Sequence, residues 1–209
     1  MRIIKSSVEV LTPIDRDEIL KRIEDAGRTC YKSEDKITEN SASKFVKGII
    51  KSGHESVIEH VNLSVRFLTN RGVTHEMVRH RHFSVSQESS RYADYTKDKF
   101  DNQVRFIDIK EGFPDISDDL YEEWEHDCFA TEASYQAIKE IGGKTDLARN
   151  VLNNSTATEI VLTGNLRQWR HFLKLRTSKN AHAEIRVVAN KLLDELREEL
   201  PEVFGDINE

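Results

Sequence analysis

Apolar positions along the chain switch between a period of two and a period of three to four, the spacings that separate strands from helices. Ile3 to Leu11 alternates as a strand and stops at Thr12-Pro13. Asp15 to Cys30 places Ile19, Leu20 and Ile23 on one face of a predicted helix. Asn40 or Ser41 can cap a second helix through Phe45, Val46, Ile49 and Ile50, with Gly53 placed to end it. Val61, Leu63, Val65 and Phe67 then alternate with Asn62, Ser64 and Arg66, which predicts a strand with one buried face. Arg71 to about Arg81 reads as helix, and the polar run SVSQESS after it as a loop. Val104 to Ile109 predicts another strand, with a turn at Phe113-Pro114. Leu120, Trp124, Cys128, Thr131, Tyr135 and Ile138 line one face of a long helix closed by Gly142-Gly143. Thr156 to Thr163 is rich in β-branched residues and ends at Gly164, so it reads as a strand. Two helices finish the chain, Leu166 to about Arg176 and His182 to Leu200.

This order predicts an α+β fold, an antiparallel or mixed sheet flanked by helices. The strands are too few and too irregularly spaced for a doubly wound sheet, and no GxGxxG follows any of them, which removes support for a Rossmann dinucleotide site. No internal repeat or linker interrupts the 209 residues, so one domain over 1–209 is expected.

Composition adds exclusions. With 37% hydrophobic and 33% charged residues the chain is not of the disordered class. No apolar run approaches the ~20 residues of a membrane span, and the first residues lack the apolar stretch and cleavage site of a signal peptide. The two cysteines, Cys30 and Cys128, form no CxxC pair. They suit a reducing cytoplasm, each as a packed residue, without a disulfide framework or a zinc-thiolate site. A net charge of -6 argues against general nucleic-acid affinity, which rests on neutralising phosphates.

The charge is unevenly spread. Arg71 to Arg91 carries four arginines and three histidines against two glutamates, and a second basic cluster runs from Arg167 to Arg176. On the second predicted helix Arg167, Arg170, His171 and Lys174 form a basic stripe. Two cationic islands in an acidic chain suggest a bounded site for a small anion such as a nucleotide phosphate. Arg79 and Arg81 diverge by about 200° on a regular helix, so both reach one ligand only where the helix ends. The following hydroxyls of Ser84, Ser86, Ser89 and Ser90, with Arg91, suit a phosphate, although a solvated basic helix end has the same composition. His54 and His60 could be metal ligands, but no nearby cysteine or HExxH supports zinc. A rival from another class is a nucleic-acid-binding protein using RGVTHEMVRHRHF as a basic helix.

The order of residues changes that balance. Arg79, His80, Arg81, Ser84, Ser89 and Arg91 stand at the fixed places of RHRxxSxNxxSxR, and the chain resembles the flavin-dependent thymidylate synthases that share this motif, with Ser86 at the asparagine. Gly53-His54-Glu55-Ser56 with Glu59-His60 resembles the family's GHE(S/T)xxEH segment, on the flavin and folate side of its site. Ala148 to Leu152 and Thr163 to Arg176 resemble two further family segments, with Asn153 where proline is common.

The resemblance implies methylation of deoxyuridine monophosphate (dUMP) to thymidylate. Methylenetetrahydrofolate gives the carbon, and FAD, reduced by NADPH, gives the hydride. It implies a homotetramer with sites shared between subunits, and no nucleic acid, membrane or metal. Arg176 matches the arginine beside the uracil ring, where a cation stabilises negative charge as N3 loses its proton. Glu76, Met77, Val78, Arg79, Gln87, Glu88, Ser89, Ser90, Arg91, Arg149 and Arg176 match substrate-binding positions, with Arg91 and Arg149 on the phosphate. Ser56, Arg79, His80, Arg81, Gln87, Asn165, Arg167 and His171 match flavin-binding positions.

Overall fold

A computed structural model describes residues 1–207. Its elements in chain order are β1 (Arg2–Ile4), β2 (Ser7–Val10), α1 (Arg16–Thr29), α2 (Ser41–Lys51), β3 (Asn62–Asn70), α3 (Arg71–Met77) and β4 (Ser84–Gln87). They continue with β5 (Arg105–Ile107), α4 (Asp118–Glu140), α5 (Thr145–Ala148), β6 (Ala157–Asn165), α6 (Leu166–Arg176), α7 (Ala183–Glu199) and α8 (Pro201–Phe204). The main sheet has the order β2-β3-β6-β4 and is antiparallel throughout, while β1 and β5 form a separate parallel pair. The α+β expectation holds.

The long central strands behave as their alternation predicts. Leu63, Val65 and Phe67 of β3 and Ile160 and Leu162 of β6 are fully buried on one face. They pack against Trp169, Phe172 and Leu173 of α6 and the apolar stripe of α7, in one core cluster that also takes in α1 and α2. A second cluster, containing Tyr95, Val104, Phe106, Cys128 and Tyr135, gathers around β5 and α4.

Local stop signals fix the helix ends. Asp15 caps α1 by accepting from the Glu18 N–H, and Asn70 caps α3 by accepting from the Val73 N–H. At the end of α2, Gly53 adopts φ +70°, and the N–H groups of Gly53 and His54 donate to the carbonyls of Ile50 and Ile49. This left-handed closure satisfies the last carbonyls at a position where a Cβ would be strained. Asn40 occupies the cap position of α2 without a side-chain hydrogen bond.

Several expectations are corrected. Ile3 to Leu11 is two strands, because β1 pairs with β5 while β2 pairs with residues 65–68 of β3. The run SVSQESS is half strand: Ser84–Gln87 is the edge strand β4, paired with β6, since backbone hydrogen bonding to a neighbour needs no apolar side chains. The helix from Arg71 stops at Met77. The strand over 104–109 shrinks to Arg105–Ile107. On α4, Leu120 is exposed, although Cys128 and Tyr135 are buried. Cys30 is exposed rather than packed.

No helix among the described residues is long and apolar enough to cross a membrane.

Candidate active site

The early end of α3 gives the motif its shape. Val78 closes the helix, and the Arg79 and His80 N–H groups donate to the carbonyls of Glu76 and Met77. Arg79 to His82 then forms a turn before β4, which removes the helical divergence between Arg79 and Arg81. Both arginines, with His80, His82 and Phe83, line a cavity of about 460 Å³. The opposite wall comes from α6 and consists of Gln168, His171, Leu175 and Arg176.

Packing decides which side of α6 faces this cavity. Burying side chains as large as those of Trp169, Phe172 and Leu173 contributes roughly 1.5–3 kcal/mol each, whereas exposed ion pairs contribute ~1 kcal/mol or less. The three apolar residues therefore turn toward the sheet, the Trp169 Nε1–H donating to the Leu63 carbonyl at 3.1 Å. The helix start is held by a capping box in which Asn165 accepts from the Gln168 N–H and Gln168 accepts from the Asn165 N–H. The Gln168 amide also donates to the His82 carbonyl at 2.9 Å, tying α6 to the motif turn.

Arg176 is the most constrained cation in the cavity. Its Nη1 donates to Glu76 Oε2 at 2.7 Å and its Nε to His80 Nε2 at 2.9 Å. The His80 ring lies against Phe172, with centroids 5.0 Å apart. Burial first, then the charges of Arg176 and His171, lower the His80 pKa to about 4, so its imidazole is neutral near pH 7.

Two further cavities continue along α6. One of about 350 Å³ is lined by Glu59, His82, Asn165, Arg167 and Gln168. The next, about 340 Å³, includes Tyr31, His54, Ser56 and Arg167. The cavity of about 350 Å³ shares His82 and Gln168 with the Arg176 cavity and Arg167 with the cavity of about 340 Å³, so the three follow one another as a groove along the exposed side of α6 from Arg176 to Ser56. Nine residues of helix separate Arg167 from Arg176, about 14 Å. His82, Phe83, Gln168 and Leu175 were not among the expected site residues. His82 abuts the motif, and Asn165-x-x-Gln168 is a capping-box pattern that could have marked Gln168.

The predicted basic stripe of α6 is only partly a site feature. Arg170 is fully buried, donating to Glu55, to Asp206 and to the Val203 carbonyl. It fastens the end of the chain rather than facing a ligand. Lys174 pairs with Glu55 at 3.3 Å and Arg167 with Glu59 at 2.6 Å. The carboxylates of the Gly53–His60 segment thus serve the outer side of α6.

Other expected residues lie apart from the Arg176 cavity. Met77 is fully buried in the core, which leaves its main chain for a ligand, and Val78 is exposed. Gln87 donates to Thr74 Oγ1 at 3.0 Å, and Glu88 accepts from the Tyr95 hydroxyl at 2.8 Å. The Ser89 carbonyl accepts from the Tyr92 and Ala93 N–H groups, and Ser90 is buried. Arg91 lines a separate cavity of about 420 Å³ with Tyr92, Lys139 and Lys144. Arg149 is half-buried at the end of α5 and lines none of these cavities. The RGVTHEMVRHRHF run is not the continuous basic helix that the nucleic-acid reading requires, because α3 ends inside it. Among the described residues no group of three His, Cys, Asp or Glu side chains is placed to hold a metal ion.

Comparison with known proteins bears on this geometry. Residues 14–202 match the family model described as thymidylate synthase complementing protein. A flavin-dependent thymidylate synthase of Mycolicibacterium vanbaalenii is 38% identical, the match covering 92% of this chain and 81% of the relative. Another, from Corynebacterium glutamicum, is 34% identical over 96% of this chain and 84% of the relative. The solved UMP/dUMP methylase PolB of Streptomyces cacaoi, with 5-Br dUMP bound, superposes with a TM-score of 0.79. It covers 98% of this chain and 96% of its own at 21% identity, so it bears on the fold.

Proposed function

This chain belongs to the family of the flavin-dependent thymidylate synthases, and from that premise we propose that it methylates dUMP reductively to thymidylate, in dTTP biosynthesis. The carbon donor is methylenetetrahydrofolate. FAD, reduced by NADPH, supplies the hydride. The observation that carries this reading is the groove along α6, walled at one end by the RHR turn and Arg176 and at the other by Ser56.

The groove suits an extended anionic cofactor. The arginines and main chain of the Arg79–Arg81 turn, with His171, Asn165, Arg167 and Ser56, would hold FAD, and Gln87 would reach it from β4. Arg167 is paired with Glu59, while Arg79 and Arg81 are exposed at the cavity, where their guanidinium groups suit an anion. A bound flavin supplies the redox chemistry, and the protein positions rings and stabilises charge.

Arg176 is the catalytic residue in this reading. Its guanidinium, paired with the Glu76 carboxylate, stabilises negative charge on the uracil ring when N3 is deprotonated. Arg91 and Arg149, with Gln87 to Ser90 and the Glu76–Arg79 end of α3, bind the nucleotide. Arg91 stands in a different cavity from Arg176 within one chain, which supports a homotetramer whose sites are completed by neighbouring subunits. A cytoplasmic location goes with this chemistry.

The test is the visible spectrum of the purified protein with added FAD, before and after dUMP. Flavin bands perturbed by the nucleotide are expected, and they would put both ligands in one site. A protein that takes up no FAD would overturn the reading.

A further inference from the structure

The loop over residues 88–95 begins inside the motif and ends in the second core cluster, and one side-chain hydrogen bond closes its base. At the start, the Glu88 N–H donates to the Glu159 carbonyl at 2.8 Å, just past the end of β4. At the far end Tyr95 is buried, its ring centroid 5.6 Å from that of Tyr135 and 5.0 Å from that of Phe100. The Tyr95 hydroxyl donates to Glu88 Oε1 at 2.8 Å, joining residues seven positions apart. Arg105 of β5 stands 4.0 Å from the other carboxylate oxygen.

Between these ends the chain turns tightly. The Ser89 carbonyl accepts from the Tyr92 and Ala93 N–H groups, both at 2.9 Å, and Ser90 and Ala93 are buried. Arg91 is exposed and lines its cavity with Lys139 and Lys144. Lys139 is in turn paired at 3.2 Å with Asp94, the neighbour of Tyr95. Burial first, then the charge of Glu88, push the Tyr95 hydroxyl above the ordinary tyrosine range, so it keeps its proton and remains the donor. Tyr95 lines none of the cavities described above, so it reaches a ligand only through the loop it closes.

We propose that Tyr95 is a positioning residue for nucleotide binding: its bond to Glu88 staples the two ends of the 88–95 loop and sets where Arg91 meets the phosphate. The inference rests on the nucleotide-binding role given above to Gln87–Ser90 and Arg91. Those residues keep that role, and Tyr95 prepares them for it. A loop whose ends are tied has less conformational freedom to lose when a ligand orders it. Without the hydroxyl the base of the loop can open, and the nucleotide must then supply the order that the staple supplied.

Tyr95→Phe is the test, because it keeps the buried ring and removes only the donor. On the flavin-loaded enzyme, the Kd of dUMP read from the flavin spectrum and the KM for dUMP should both rise about 10-fold. Turnover at saturating dUMP and bound flavin per chain should stay as in the wild type. In an Arg91→Ala background the same change should raise the Kd little further, since groups acting through one contact are non-additive. An unchanged Kd, a lower kcat at unchanged KM, lost flavin, or a full-sized effect in the Arg91→Ala background would overturn the proposal.

A readout without ligand keeps failure of the staple apart from failure of the functional reading. Amide hydrogen exchange at Tyr92 and Ala93, the two N–H groups held by the Ser89 carbonyl, should speed up about 10-fold in Tyr95→Phe, with β3 and β6 unaffected. Unchanged exchange at both amides sinks the staple whether or not the protein binds flavin. Equal acceleration throughout the sheet marks a general loss of stability and refutes a local role. Faster exchange confined to the loop, in a protein that takes up no dUMP, sustains the staple and sinks only the assigned reaction.

Discussion

Gly164 sits one residue before the cap of α6, and its missing side chain leaves room that two site residues fill. A Cβ there would lie 2.5 Å from Phe83 Cε1 and 2.7 Å from Gln168 Oε1. The Phe83 ring has little freedom to retreat, since its centroid is 4.5 Å from that of Trp169. Gly164→Ala should therefore cost about 1–3 kcal/mol by overpacking. It should also weaken flavin retention, because Phe83 and Gln168 wall the cavity. Thermal unfolding and bound flavin per chain check it, and a variant unchanged in both would refute the close-packing argument. At this scale the sequence was most informative where residue order, not composition, carried the signal. Arg79, Arg81 and Arg176 line one cavity, yet nothing in the spacing separated Arg170, buried under three acceptors, from Arg167 and His171 beside it. That difference depends on Glu55 and Asp206, which lie far away in the chain.

Among the elements, α6 is the one on which both core and site depend, and Arg170 joins it to the chain end. Its guanidinium meets Glu55 before β3 and Asp206 after α8. Replacing it with methionine removes a buried cation while leaving two carboxylates without it. Breaking a buried pair in this way costs about 3–5 kcal/mol. Arg170→Met is expected to lower stability by that order in urea denaturation, and a loss under about 1 kcal/mol would mean that solvent already screens the cluster. The helices were legible in the sequence because their apolar faces and caps are local, and α6 has the limits its pattern predicts. The strands were less so. β4 presents serine and exposed valine side chains, so only its pairing with β6 marks it as strand. The break between β1 and β2 likewise comes from their having different partners.

For the whole molecule, Arg91 and Arg176 line different cavities of one chain, and the proposed tetramer is the arrangement that would bring such residues to one site. Light scattering on the eluted protein should give four times the mass of the 24.2 kDa chain, and a monomer that turns over dUMP would refute shared sites. The sheet carries another consequence, one of time. Its central pairing joins β3 to β6, residues about 90–100 positions apart, and loop closure must precede any gain from such contacts. The RHR turn, β4, the second core cluster and α4 all lie within that loop, while Arg176 lies just beyond it. Topologies dominated by such distant pairs fold slowly. The RHR turn and α6 lie on opposite sides of that pairing in the chain, so the two walls of the groove come together only once the loop has closed.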